Sequence, residues 1–240
     1  MGRYSLADHV FVCVNDDHVV LLDVKKDRYW ALEASKTAPL GALVPGWPIQ
    51  PAAAPGAAAT DPEEAEQLVE VLMEQGILCR SEIGGKAATP VSVPRPAREL
   101  LSADPYRGAP VRAAMMMHFI AASVSAKVAL RTRPFEQVIE RFRRRKQIGT
   151  AHPRPPEIAR ARRLVEGFFR MRVFFFSSKN ECLFDSLALL NLLARHGLYP
   201  DWVFGVQARP FAAHCWVQLD DIVFNDTIEH VSGYTPIMVA

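Results

Sequence analysis

The stretch ECLFDSLALLNLLARHG, Glu181 to Gly197, decides how the rest of the chain is read. Its Leu, Ala and Phe residues cover most faces of a helix. A buried central helix is therefore predicted over Glu181–His196, with Gly197 as its C′ residue. Cys182 falls in the first turn, just after the polar run Ser177-Ser178-Lys179-Asn180. Backbone N–H groups left unpaired there favour a thiolate, and later the oxyanion of an acyl intermediate. Downstream, Trp202–Val206, Cys215–Leu219 and Ile222–Phe224 read as strands, with Asp220-Asp221 as a two-residue hairpin turn. Pairing about that turn sets His214 opposite position 227, so Asp226 reaches its imidazole through a one-residue slip or bulge. The combination is that of a cysteine hydrolase, with Cys182 as nucleophile, His214 as base and Asp226 as orienting acid.

Each of the three residues also has an ordinary structural reading. A cysteine in an apolar helix is more often a buried small hydrophobe. A histidine beside Trp216 is often a packed core residue, and an Asp after a strand is usually a turn or cap. Spacing alone leaves both readings open.

Working outward, the 240 residues suffice for one or two domains, and a net charge of +2 does not call for nucleic acid. The cations are nonetheless uneven, crowding Arg141, Arg143, Arg144, Arg145 and Lys146; a solvated basic helix end is expected there. Cys13, Cys79, Cys182 and Cys215 lie far apart with no CxxC pair, which argues against a zinc ribbon, a redox pair or a disulfide framework. The N-terminus shows no secretory h-region, and the apolar stretch Ala113–Ala126 is shorter than the roughly 20 residues of a membrane span. A cytoplasmic protein without a membrane span is expected. His9, His18, His118, His152, His196 and His230 show no metal-ligand spacing, and Met115-Met116-Met117 reads as core packing rather than a metal site.

Toward the N-terminus, Val10–Val14, Val19–Val24 and Arg28–Leu32 read as a three-stranded meander broken by Asn/Asp/Lys turns. Ser35 is a candidate cap for a short helix through Val44. Residues 45–60 are a Pro/Ala/Gly-rich loop, and Thr60 or Asp61 caps a helix that begins at Pro62 and ends at Gly76. Residues 82–96, with two glycines and three prolines, are the predicted linker between a 1–81 module and a 97–240 domain. The latter opens with helices over Pro110–Arg131, Pro134–Lys146 and Pro155–Arg172. The fold class is α+β.

The strings CLFDSLALLNLLARHG, FGVQARPFAAHCWVQLDD and VFND are similar to the C-terminal half of lasso peptide biosynthesis B proteins. The matching positions are Cys182-Leu183, Leu193-Ala194-Arg195-His196-Gly197, Gly205-Val206, Pro210-Phe211-Ala212-Ala213-His214-Cys215-Trp216-Val217 and Asn225-Asp226. The resemblance implies a transglutaminase-like (papain-like) cysteine protease domain that cuts the leader from a ribosomal precursor peptide. It implies a partner too, an asparagine-synthetase-like lasso cyclase. ATP use goes with the family, but no Walker-type loop is present and no cofactor is assigned. Cys215 departs from the pattern, where Ala is more usual; as a strand neighbour of His214 its side chain is expected to point away from the site.

The first 81 residues resemble a PqqD-like, winged-helix recognition element, which binds a leader by adding it as a strand to its sheet edge. That resemblance implies leader contacts at Arg28, Tyr29, Trp30 and Leu32 of the third strand and at Leu68 and Leu72 of the helix. The expected function is leader peptidase. A transglutaminase-like acyl transferase and a non-catalytic precursor-binding chaperone are the alternatives.

Overall fold

The computed structural model describes residues 3–49, 62–82, 84–101, 113–150, 158–175 and 182–240. The Pro/Ala stretch over 50–61 with the candidate caps Thr60 and Asp61, His152, the helix starts at Pro110 and Pro155, and the run Ser177–Asn180 lie outside them. The architecture is mixed α+β in two compact units. The first comprises 1–92 with 206–212 and 235–238, and the second 93–205 with 213–234 and 239–240.

In the first unit, β1 (Tyr4–Leu6) pairs antiparallel with β5 (Leu78–Arg80), while β2 (Val10–Asn15), β3 (His18–Asp23) and β4 (Arg28–Glu33) form an antiparallel sheet in that order. Turn chemistry fixes this meander. Asp16 and Asp27 take positive φ of 53° and 52°, which Asp tolerates better than most residues. The buried Asp23 carboxylate accepts the Lys25 and Lys26 N–H groups at 3.0 and 2.9 Å, closing the second turn. The single helix expected from Ser35 through Val44 is instead two, α1 (Ala34–Thr37) and α2 (Leu40–Leu43), because Pro39 between them has no N–H to continue the ladder. Helix α3 (Pro62–Glu74) presses Val69 and Leu72 into a core with Val10, Val12, Val19 and Trp47.

The second unit holds β6 (Arg98–Glu99), α4 (Ala113–Thr132), α5 (Phe135–Thr150), α6 (Ile158–Phe175), α7 (Cys182–Arg195), most of β7 (Asp201–Gln207) and β8 (Ala212–Leu219), β9 (Ile222–Val223) and α8 (Ile228–Val231), while β10 (Thr235–Val239) falls almost wholly in the first. The five-stranded sheet runs β10-β7-β8-β9-β6. Helix α7 is central: Leu187, Leu189, Leu190, Leu192 and Leu193 are all buried, and α4 and α6 pack against it. Burying one leucine stabilises by about 1.5–3 kcal/mol, so the helix carrying Cys182 is firmly anchored. Gly197 ends it at φ 74°, with the Leu198 N–H returned to Leu193 O at 3.1 Å.

Two expectations are corrected in this unit. Met116 and Met117 are 43% and 65% exposed, so they are not core. The buried face of α4 is Phe119, Ala122, Ser123 and Ala126, and the two methionines fall on the other side. The basic run is not at the helix end, since α5 continues to Thr150, and it is solvated only in part, at Arg141, Arg144 and Arg145. Arg143 donates to Val239 O at 3.0 Å, Arg145 to Asn191 Oδ1 at 3.1 Å, and Lys146 to Ala240 O at 3.1 Å while pairing with Asp201. The cations tie α5 to α7, β7 and the last residues of the chain. Among the described residues, α4 is the one helix long and apolar enough, by length and composition, to cross a membrane.

Candidate active site

The hairpin β8–β9 sets the geometry. Gln218 pairs with Val223 and Leu219 with Ile222, the register that the Asp220-Asp221 turn dictates. The ladder reaches one step further, with the Phe224 N–H on Val217 O at 2.9 Å. At the next position the Val217 N–H bonds to the Asn225 side-chain Oδ1 at 2.7 Å. A side chain thus replaces backbone in the ladder and releases the main chain after Asn225. That departure carries the Asp226 carboxylate to His214 Nε2, at 2.5 Å.

Asp226 is held from two further directions. The Thr227 N–H donates to its Oδ1 at 2.8 Å, and His230 Nδ1 lies 2.9 and 3.0 Å from its two oxygens. Thr227 also caps α8, accepting the His230 N–H at 3.2 Å, which places His230 one turn above Asp226. Burial alone would raise the Asp226 carboxyl, but the bonds from His214, Thr227 and His230 bring it below its ordinary value.

The Cys182 thiol has His214 and Cys215 as its electrostatic neighbours. The Cys215 contact comes first among the causes that pull the Cys182 thiol down to about 4; burial opposes it, and His214 adds to it. Burial would lower His214, yet its bonds to Asp226 and Cys182 raise it to about 9. The favoured state near neutrality is therefore a thiolate–imidazolium pair.

The Cys215 thiol is buried against α7. Strand alternation separates it from His214, but the start of α7 lies against the strand here. Ser186, four residues beyond Cys182, donates to Cys215 O at 3.2 Å, accepts from Asn225 Nδ2 at 3.0 Å and lies 3.8 Å from Cys215 Sγ. One hydroxyl thus joins the nucleophile's helix, the histidine's strand and the residue that releases Asp226. Beneath His214, Trp216 lies parallel at 6.1 Å, its Nε1 donating to Gln218 Oε1 at 2.8 Å. Gly205 makes room for this packing: a Cβ there would sit 2.9 Å from both the Trp216 ring and Tyr234 Cβ.

Residues 121–239 match the model of the transglutaminase-like superfamily. They form a transglutaminase-like domain. No curated protein and no solved structure matches the chain. The superfamily includes cysteine peptidases and transglutaminases, both of which use a thiolate as acyl acceptor. All three expected site residues, Cys182, His214 and Asp226, lie within this transglutaminase-like domain and are brought together in it.

The roles of Ser186, Asn225 and His230 escaped the sequence reading. Asp226 and His230 are four residues apart with a Thr cap between them, which is a legible signal for a paired i,i+4 contact. Nitrogens of His214 and His230 both bond the Asp226 carboxylate, so the three side chains form one cluster.

The expected leader-binding residues belong to the first unit. Arg28 is exposed on β4, and the Tyr29 ring meets Phe211 at 5.5 Å. Trp30, Leu32 and Leu68 are partly buried against the core, and Leu72 is 3% exposed within it.

Proposed function

We propose that the protein is a cytoplasmic leader peptidase of lasso peptide maturation, acting through Cys182, His214 and Asp226. The observation that carries this reading is an imidazole bonded to a carboxylate beside a partly exposed thiol at a helix start. The Cys182 thiolate attacks the carbonyl ending the leader, and the Cys182 N–H, at the first residue of α7, donates to the oxyanion. The His214 imidazolium protonates the departing amine, which becomes the new N-terminus of the core peptide. Neutral His214 then deprotonates water, which hydrolyses the thioester and frees the leader.

Incubating precursor peptide with wild type and Cys182→Ala tests this. Cleavage at the leader–core junction should fall on the order of 10⁴-fold or more in the variant. Undiminished cutting by Cys182→Ala sinks the mechanism. A transglutaminase-like acyl transfer would be recognised by the mass of an amine adduct in place of free leader carboxylate.

The first unit supports the substrate class. Strand β4 is an outer strand of its sheet, and an extended leader could add there through main-chain hydrogen bonds. Arg28 and Tyr29 are the side chains placed to fix its register, while Trp30, Leu32, Leu68 and Leu72 shape the surface from the core side. Tyr29→Ala should raise KM for the full precursor roughly 5- to 10-fold, about 1–1.4 kcal/mol, and leave a short junction peptide unaffected. Equal effects on both substrates would refute leader capture at β4. An asparagine-synthetase-like cyclase, which consumes the freed N-terminus, is the proposed partner.

A further inference from the structure

Helix α4 buries one side and leaves the other bare. Phe119, Ala122, Ser123 and Ala126 form the buried side, and α4 packs chiefly against α7. Met117, Ile120, Val124 and Val128 recur at steps of three and four residues, which sets them in one stripe on the opposite side. Met117, Val124 and Val128 are 65%, 55% and 52% exposed. Single exposed apolar residues are ordinary, but a continuous stripe about 17 Å long is a contact surface.

Cations continue the same face. Lys127 and Arg131 stand seven residues beyond Ile120 and Val124, two turns further along it. Both are exposed, and among the described residues neither pairs with a carboxylate. Helices α5 and α6, which also pack on α4, expose Arg141, Arg144 and Arg145 and Arg162 and Arg163. From Arg112 to Arg172 the sequence carries fifteen Lys and Arg against four Asp and Glu, in a chain whose net charge is only +2. The positive charge is thus concentrated in the helices around the apolar stripe.

We infer that the outer face of α4 docks the protein on an anionic lipid bilayer. Met117, Ile120, Val124 and Val128 enter the boundary between headgroups and acyl chains, while Lys127 and Arg131 reach the lipid phosphates. Burial and charge act together, as an interfacial helix requires. Length and composition would let α4 cross a membrane, but crossing would strip Phe119, Ala122 and Ala126 from the core. The helix therefore lies along the surface. Nucleic acid would satisfy the arginines and leave the apolar stripe in water. A second copy of this face would bury the stripe but bring no anion to Lys127 and Arg131, because α4 contains no Asp or Glu. An anionic bilayer meets both needs, and the inference does not rest on the peptidase reading.

The test is flotation of the whole protein with vesicles of phosphatidylcholine alone or with about 30% phosphatidylglycerol, in about 0.1 M salt. Affinity should be roughly 10-fold or more higher for the anionic vesicles, and most of that gain should vanish at about 0.5 M salt. Replacing Met117, Val124 and Val128 together by Gln should weaken binding about 10-fold or more, with Tm unchanged because these side chains are exposed. Lys127→Gln with Arg131→Gln should cost roughly 10- to 30-fold on anionic vesicles and leave binding to phosphatidylcholine as it was. Absence of flotation with either vesicle, equal flotation with both, or a triple-Gln variant that floats like wild type would each overturn the proposal. So would a wild-type dimer that leaves vesicles unbound and becomes monomeric on triple substitution, since the stripe would then belong to a second copy.

Discussion

Two pairs of histidine rings lie in the second unit at nearly the same spacing, and they behave in opposite ways. His214 and His230 have centroids 4.6 Å apart, and His118 and His196 are 5.1 Å apart with Nδ1 and Nε2 at 3.3 Å. Burial is the first influence on both His214 and His196, and in both it disfavours the charged ring. At His196 the neighbours are His118, Arg160 and Arg195, all of which add to burial and hold it below its ordinary value. At His214 the neighbours are the Asp226 carboxylate and the Cys182 thiolate, and they outweigh burial, bringing the ring to about 9. Proximity of two imidazoles therefore makes no catalytic pair; the anions on either side do.

The strongest way to break that contrast is to remove the carboxylate charge and keep its shape. Asp226→Asn still offers an oxygen to His214 Nε2–H but no negative charge. In the wild type the reactive pair needs Cys182 deprotonated, hence pH above about 4, and His214 protonated, hence pH below about 9. The kcat/KM profile should rise through the first value and fall through the second. In Asp226→Asn burial is opposed by Cys182 alone, so the falling limb moves down. With less imidazolium beside it, the Cys182 thiol moves up, and the plateau narrows from both ends. At pH 8 the loss should be roughly 10- to 100-fold, about 1.4–2.7 kcal/mol. A falling limb still near 9 in the variant would show that Asp226 does not hold the His214 proton.

The same contrast marks what was readable in the chain. Asn/Asp turns gave away the β2–β3–β4 meander, and the Asp220-Asp221 turn gave the register of β8 and β9, because both are local. A slip or bulge near Asp226 was the right kind of expectation, but the device is a side chain, Asn225, standing in for backbone, and no periodicity encodes that. Strands β1 and β5 are three residues each and lie more than 70 residues apart, and β6 and β9 are two residues each, so their pairing is a tertiary event. Alternation along β8 put Cys215 on the far side of the strand from His214. It said nothing of where the start of α7 would lie, and that placement sets Cys215 against Ser186 of the nucleophile's helix.

The smallest effect sharpens the comparison from within the site. His230 touches Asp226 as His214 does, but its side chain is 50% exposed and it makes no bond to Cys182. Its Nδ1–H fixes the carboxylate rather than the proton that is transferred, so it acts as a positioning residue. A hydrogen bond to a carboxylate is worth about 1.5–3 kcal/mol when enclosed, and solvent at a half-exposed ring reduces this to roughly 0.5–1 kcal/mol. His230→Ala should therefore lower kcat/KM about 2- to 5-fold near neutral pH. His230→Asn, whose amide nitrogen can occupy the place of Nδ1, should recover most of the loss. His196→Ala, made at the other pair, should change kcat/KM less than about 2-fold, since no reacting group lies beside it. If His196→Ala and His230→Ala impair the enzyme equally, or if His230→Asn fails as fully as His230→Ala, the loss reflects general packing. The bond to Asp226 would then have no part in catalysis.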